Sequence, residues 1–194
     1  MKESLIIRPA MLEDAQALLE IYSPYVMETA ISFEYSVPTL SEFQDRIRSI
    51  LTRYPYLVAT HSGVIVGYAY ASTFKPRAAY GWGVETSIYV AKGCHGLGVG
   101  RALYQKLEAV LRRQNILNIN ACIAFPNGED AHLTTDSEKF HSHMGFNTVA
   151  HFHQCGYKFG TWYDMIWMEK LLAEHPPVPA AVRPFMEVWE ECFA

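Results

Sequence analysis

The stretch that decides the fold runs Glu85-Thr86-Ser87-Ile88-Tyr89-Val90, then Gly93-Cys94-His95-Gly96-Leu97-Gly98-Val99-Gly100-Arg101, then Ala102-Leu103-Tyr104. Its first part reads as a strand, a β-branched and aromatic run flanked by Gly83 and Gly93. Its last part opens a helix with Leu103, Leu107, Val110 and Leu111 on one face. A strand that enters a helix through Gly96, Gly98 and Gly100 presents a concave set of backbone N–H groups at a positive dipole end. Glycine lets a ligand approach closely, and such an end favours phosphate. A Walker-type loop needs Gly-Lys-Ser/Thr, but Val99 follows Gly98; a dinucleotide fingerprint needs glycine where Arg101 stands. A tight turn alone does not call for three glycines on alternate positions.

Outward from this centre the elements are mixed. Ile6–Arg8 reads as a short strand, and Asp14–Tyr22 as a helix with Ala15, Leu18, Leu19 and Tyr22 at helical spacing. Thr39 and Glu42 have the spacing of a capping box. The helix they open carries Leu40, Phe43, Ile47, Ile50 and Leu51 as its apolar stripe and ends at Tyr54-Pro55. Tyr56–Thr60 and Val64–Ser72 flank His61-Ser62-Gly63 as a hairpin. Beyond the glycines, Ile116–Phe125 is a strand, Ser137–Met144 a short helix, and Asn147–His153 and Asp164–Met168 the last strands. The expected class is α+β, a mostly antiparallel twisted sheet flanked by helices. Residues 1–172 form the expected domain and 173–194 a proline-rich tail. In that tail Pro176, Pro177, Pro179 and Pro184 precede Phe185, Val188, Trp189 and Phe193, so an extended connector should lead to an apolar end that docks on the domain or on a partner subunit.

A chain of 194 residues suits one domain, and half apolar with 19% charged residues excludes a disordered one. Sixteen Lys and Arg against 20 Asp and Glu give a net charge of −4, with no dense basic stripe, which argues against nucleic acid. No apolar run approaches the ~20 residues that cross a bilayer. The start Met1-Lys2-Glu3-Ser4-Leu5-Ile6-Ile7-Arg8 lacks the apolar core of a secretory signal, so a cytoplasmic protein is expected. Cys94, Cys122, Cys155 and Cys192 are far apart and read as reduced. His141-x-His143, His151-x-His153 and His153-x-Cys155 have the alternation of a ligand pair, but also that of a strand face. No second converging pair is visible in the sequence, and no metal is expected.

The central stretch resembles the core motif of the GNAT acetyltransferases, whose Gln/Arg-x-x-Gly-x-Gly/Ala stands here as His95-Gly96-Leu97-Gly98-Val99-Gly100. His95 departs from the pattern, at a position where backbone N–H groups do most of the phosphate holding. The likeness narrows to the phosphinothricin N-acetyltransferases through Arg8-Pro9-Ala10, Arg53-Tyr54-Pro55, Lys75-x-Arg77-x-x-Tyr80, Val84-Glu85, Pro126-Asn127, His141 with Gly145-Phe146, and Gly156-Tyr157-Lys158-x-Gly160-x-Trp162-x-Asp164. These markers follow the family's order from residue 8 to about 168. The stretch Gly128–Asp136 is longer than the family's usual connection.

The resemblance implies transfer of acetyl from acetyl-coenzyme A to the amine of phosphinothricin, methionine sulfoximine or methionine sulfone. It implies a pyrophosphate site at His95, Gly96, Leu97, Gly98, Val99, Gly100 and Arg101, a pantetheine strand at Ile88, Tyr89 and Val90, a coenzyme contact at Asn127, and a homodimer. An α-ammonium has a pKa near ~8, so the reaction needs a base. Glu85 is the candidate, on the strand face opposite Thr86, Ile88 and Val90. His141 stands where relatives carry an acid, and imidazole chemistry suits assisting the base or protonating the leaving thiolate. Lys75, Arg77 and Tyr80 form a cationic, hydrogen-bonding group suited to a carboxylate or phosphinate, with Phe33 as a wall of the acceptor pocket and Lys158 or Trp162 completing it. The alternatives are another small amine as acceptor, or an acyl-coenzyme A sensor without turnover.

Overall fold

The structure, a computed structural model, describes residues 5–193. The first four residues and Ala194, which belong to the expected spans 1–172 and 173–194, lie outside the described residues. A seven-stranded sheet is built from β1 (Ile6–Pro9), β2 (Tyr56–His61), β3 (Val64–Thr73), β4 (Gly83–Val90), β5 (Asn118–Phe125), β6 (Asn147–Lys158) and β7 (Thr161–Leu171). Their order is β1-β2-β3-β4-β5-β7-β6, and every neighbouring pair is antiparallel except β4 with β5. Strand alternation sends residues of β2 to β4 to two cores. Leu57, Ala59, Ala69, Ala71 and Val84 meet α3 (Val99–Arg113), while Tyr56, Val58, Tyr68 and Tyr89 meet α1 (Ala15–Glu28) and α2 (Leu40–Leu51). The α+β class and the mostly antiparallel sheet are as the sequence led us to expect.

Local chemistry sets the ends. Thr39 accepts from the Glu42 N–H, and the Glu42 carboxylate accepts from the Thr39 N–H at 2.7 Å, which closes the capping box that opens α2. Ser62 and Gly63 both have positive φ, 52° and 79°, the signature of a type I′ hairpin turn. Phe159 and Gly160, at 50° and 76°, make a second such turn, so β6 and β7 run well beyond the expected Asn147–His153 and Asp164–Met168. The alternation failed there because β6 shifts register between Thr148 and Ala150 and again between Phe152 and Gly156. Helix α1 likewise continues past Tyr22, through Pro24, to Glu28.

The tail packs on its own domain. Trp82 Nε1 donates to the Ala180 carbonyl at 2.7 Å, the Asn115 amide to Ala181 at 2.8 Å, and the Gln114 amide to both Arg53 and Arg183 at 2.8 Å. Those contacts deliver α5 (Phe185–Phe193), whose Phe185 and Val188 are sealed into the core beside α3. Phe185→Ala should therefore cost about 3–5 kcal/mol in chemical denaturation, the range for a fully buried phenylalanine. A loss below about 1 kcal/mol would show that the tail only rests on the surface.

Candidate active site

Strands β4 and β5 pair over only three residues, Gly83–Glu85 against Asn118–Asn120, and then part. Side chains satisfy the backbone where the ladder stops. The Asn120 amide donates to the Val84 carbonyl at 3.1 Å, and the Thr86 hydroxyl donates to the Asn120 carbonyl at 3.2 Å. Between the diverging strands lies a cleft of about 60 Å³ lined by Thr86, Ser87, Ile88, Ala121, Cys122, Ser137 and His141, among others. The Ala91 N–H pairs with Val66 of β3, so the N–H and carbonyl groups of Ile88 and Val90 face the other way, toward the cleft. Tyr25 from α1 occupies Val90: its hydroxyl accepts from the Val90 N–H at 3.2 Å and donates to the Val90 carbonyl at 2.6 Å. The Tyr89 side chain turns to the opposite face, edge-on to the Tyr22 and Tyr25 rings.

The glycine loop ends at Gly98, which takes a left-handed conformation at φ 81° and caps α3 without any side-chain acceptor. The first helical bond runs from Ala102 N–H to the Gly98 carbonyl, so the N–H groups of Val99, Gly100 and Arg101 have no partner within the helix. No acidic residue occupies this first turn. The result is an exposed, positive end suited to a pyrophosphate. Gly100 is needed for a second reason: a Cβ there would meet the Phe140 ring at 3.0 Å, so α4 (Asp136–His143) seats directly on the loop's exit. His95 is exposed, with Nε2 at 3.2 Å from the Tyr25 hydroxyl.

Glu85 stands where the β4–β5 pairing ends, half-buried, on the face opposite Thr86. Burial raises its pKa above the ordinary carboxylate value, and the Lys75 charge partly opposes the rise. Concave surfaces surround it. Its partner on β3, Ser72, lines a cavity of about 630 Å³ floored by Tyr56, Tyr68, Tyr70 and Tyr89. Its partner on β5, Asn120, lines another of about 520 Å³ that holds Lys75, Tyr80, Phe152 and Trp167. The Lys75 ammonium lies over the Phe74 and Trp167 rings at 4.9 and 5.1 Å. Lys75 and Tyr80 thus share one cavity and the Lys75 charge reaches Glu85, whereas Arg77 is exposed at the start of the turn that ends with Tyr80. Arg46 of α2 was not singled out in the sequence, because it reads as part of a polar helix face. It lines the larger cavity and pairs with Glu34 at 2.8 Å.

Two expected pocket residues have other work. Lys158 is 3% exposed and donates to the carbonyls of Val26, Thr29 and Ser32 at 2.7, 2.9 and 2.6 Å. All three of its donors are used, which removes it from the substrate contacts and makes it a clamp on the end of α1. Phe33 packs against Gly156, where a Cβ would meet its ring at 2.2 Å, and lies 6.3 Å from the Tyr163 ring. The longer Gly128–Asp136 stretch joins the same wall: Leu133 is buried with Ala30 and Tyr163, and the His132 ring stacks on Phe159 at 4.0 Å. Asn127 is exposed, and its side chain bonds Asp164.

His141 is buried and doubly engaged. Its Nδ1 lies 2.7 Å from the Ser137 carbonyl and must carry the proton, so Nε2 accepts from the Tyr104 hydroxyl at 2.8 Å. Burial brings its pKa down to about 4, with the Ser137 bond opposing. The Thr86 hydroxyl, 3.1 Å from Tyr104 and 3.2 Å from the Asn120 carbonyl, shares its one proton between them, so His141 closes a chain that reaches the point where β4 and β5 part.

A cleft between parted strands, beside a glycine-rich helix end, is the architecture of an acyltransferase, and the comparisons agree. Residues 7–167 match the family model described as acetyltransferase (GNAT) domain. The chain is 33% identical to a phosphinothricin N-acetyltransferase of Streptomyces viridochromogenes, over 94% of this chain and 95% of that protein. It is 32% identical to an L-methionine sulfoximine/L-methionine sulfone acetyltransferase of Salmonella typhimurium, over 88% of this chain and 96% of that one. A Sinorhizobium meliloti phosphinothricin acetyltransferase solved with acetyl-coenzyme A superposes with a TM-score of 0.83 at 31% identity, covering 95% and 97% of the two chains. The protein belongs to the GNAT N-acetyltransferases, and within them it is phosphinothricin acetyltransferase-like.

The buried histidine has a measurable signature. An unfolded imidazole binds its proton near pH ~6.5, whereas folded His141 does so only near about 4. Between those values the unfolded chain holds the extra proton, so stability falls as pH drops through that window, by up to ~1.4 kcal/mol per unit. His141→Gln keeps a neutral acceptor for Tyr104 and should flatten this slope in urea unfolding at stepped pH. Equal slopes in both proteins would show that His141 is not its source.

Proposed function

We propose that the protein transfers the acetyl group of acetyl-coenzyme A to the amino group of a small amino acid, of the class of phosphinothricin, methionine sulfoximine or methionine sulfone. The observation that carries this reading is the position of Glu85, with the parted strands on one side and the Lys75–Tyr80 cavity on the other. The likeness to relatives named for those substrates supports it. Loop N–H groups from His95 to Arg101 hold the pyrophosphate, the pantetheine arm lies along Ile88–Val90, and the Ile88 N–H receives the thioester oxygen as it becomes an oxyanion. Asn127 supplies an outer coenzyme contact.

Glu85 takes the proton from the ammonium, directly or through one water, and the freed amine attacks the thioester carbon. The adduct's nitrogen gives its second proton to solvent, the tetrahedral adduct collapses, the carbon–sulfur bond breaks, and the thiolate takes a proton from Glu85 or solvent. A carboxyl with a raised pKa suits both directions of this exchange. His141, with both nitrogens engaged, holds Tyr104 and Thr86 in position rather than trading protons itself. Lys75, Tyr80 and the exposed Arg77 receive the carboxylate and the oxygen-rich side-chain end. A homodimer in the cytoplasm belongs to this reading, supported by apolar side chains exposed on β6 and β7, Val149, Phe152 and Trp162, and by four free thiols.

Thiol release from acetyl-coenzyme A against phosphinothricin, methionine sulfoximine, methionine sulfone and a polyamine tests the assignment: saturation is expected with the amino acids and not with the polyamine. Glu85→Gln should lower kcat by about 10²–10⁴-fold, the range for a general base, while coenzyme affinity by calorimetry stays unchanged and rate partly returns at high pH. An unchanged kcat would remove Glu85 from the mechanism. Lys75→Ala should raise the acceptor KM and leave the coenzyme KM alone; the reverse pattern would move the acceptor elsewhere.

A further inference from the structure

His151 and His153 on β6 meet Asp164 on β7 at a point that the acetyl-transfer reading does not use. His151 Nε2 lies 2.6 Å from Asp164 Oδ2, and His153 Nδ1 lies 3.1 Å from the same oxygen. The three donor atoms are all within 4.8 Å of one another. Residues at i and i+2 of a strand share a face, and here the two imidazole centroids lie 4.4 Å apart. The sequence showed an alternating pair without a converging partner; the fold supplies the partner from the adjacent strand.

The carboxylate is also held as a metal ligand is held. Asp164 is 2% exposed, and its Oδ1 accepts from the Gln154 N–H at 2.8 Å. The Asn127 side chain donates to the same carboxylate, which leaves Oδ2 aimed at the two imidazoles. We propose that His151, His153 and Asp164 form a three-ligand site for a divalent transition metal of the zinc class, with water in the fourth position. Two imidazoles and one carboxylate are the ligand set that such ions take, at about 2.0–2.2 Å. Tetrahedral ligands at that distance stand roughly 3.3 Å apart, so the His151–Asp164 pair must open by about 0.7 Å and the His153–Asp164 pair by less, while the two imidazole nitrogens, within 4.8 Å of each other, close by up to about 1.5 Å. The imidazoles can yield that much, because His151 is 38% exposed and His153 77% exposed. Each imidazole binds the ion neutral: the nitrogen facing Asp164 loses its proton to solvent, and the other ring nitrogen keeps or takes up one. Calcium and magnesium, which prefer all-oxygen shells, are not its ions.

The test is calorimetric titration of the full chain, stripped with chelator, with Zn2+ at neutral pH, and with Co2+ followed by visible absorption. The expected result is one Zn2+ per chain, loss of binding at pH 5 where imidazoles hold protons, and the intense visible bands of a low-coordinate Co2+ centre. His153→Gln, at an exposed position, should weaken binding by at least tenfold without lowering the melting temperature; His151→Gln with His153→Gln should abolish it. No binding to the unaltered chain, or undiminished binding to the double variant, would overturn the assignment. The readout is independent of acetyl transfer, so it stands or falls apart from the proposed reaction.

Discussion

The rest of the site depends on how two parallel strands are allowed to come apart. Unpaired strand edges expose N–H and carbonyl groups that must find partners, and here three side chains provide them. Asn120 answers Val84, Thr86 answers Asn120, and Tyr25 answers both polar groups of Val90. Each substitute bond keeps the backbone satisfied while leaving a gap in the sheet. Behind the gap, the Thr86–Tyr104–His141 chain and the Phe140–Gly100 contact fix α3 and α4 against its rim. The cleft is therefore a built discontinuity, held open by hydrogen bonds that a continuous ladder would have made redundant.

Alternation along β4 divides the labour. Val84, Thr86 and Ile88 turn to the α3 side, where packing dominates, and Glu85, Ser87 and Tyr89 to the side of the open cavities. A one-residue shift of this strand would bury Glu85 in the core and expose Val84, so the register that forms the core also places Glu85. The electrostatic balance at Glu85 follows from the same geometry: partial burial raises its proton affinity, and Lys75 across the cavity keeps the rise in check.

The parts written in local patterns were legible in the sequence. The Thr39–Glu42 box, the Ser62-Gly63 turn and the glycine loop each declare themselves within a few residues, and the strand–loop–helix order suggested the fold. The face that Glu85 occupies was countable from the strand start, while its choice as candidate base rested on the family resemblance. What depended on long-range partners was not legible. Lys158 looked like a substrate cation until three carbonyls of α1 and its exit loop claimed its ammonium. His141 looked free to titrate until burial and Ser137 fixed its tautomer. Arg46 was hidden by its ordinary place on an amphipathic helix. The length of β6 escaped because bulges scramble the period on which strand reading relies.

The Lys158 clamp bears on how much of the structure can move. One ammonium ties the β6–β7 hairpin to the end of α1 and the residues after it, and Leu133 and His132 brace the same segments from a third direction. Opening that wall would strand a buried charge without its carbonyls, a cost no small ligand can readily offset. The wall is thus a fixed brace rather than a door: the β6–β7 hairpin and the end of α1 move as one piece or not at all.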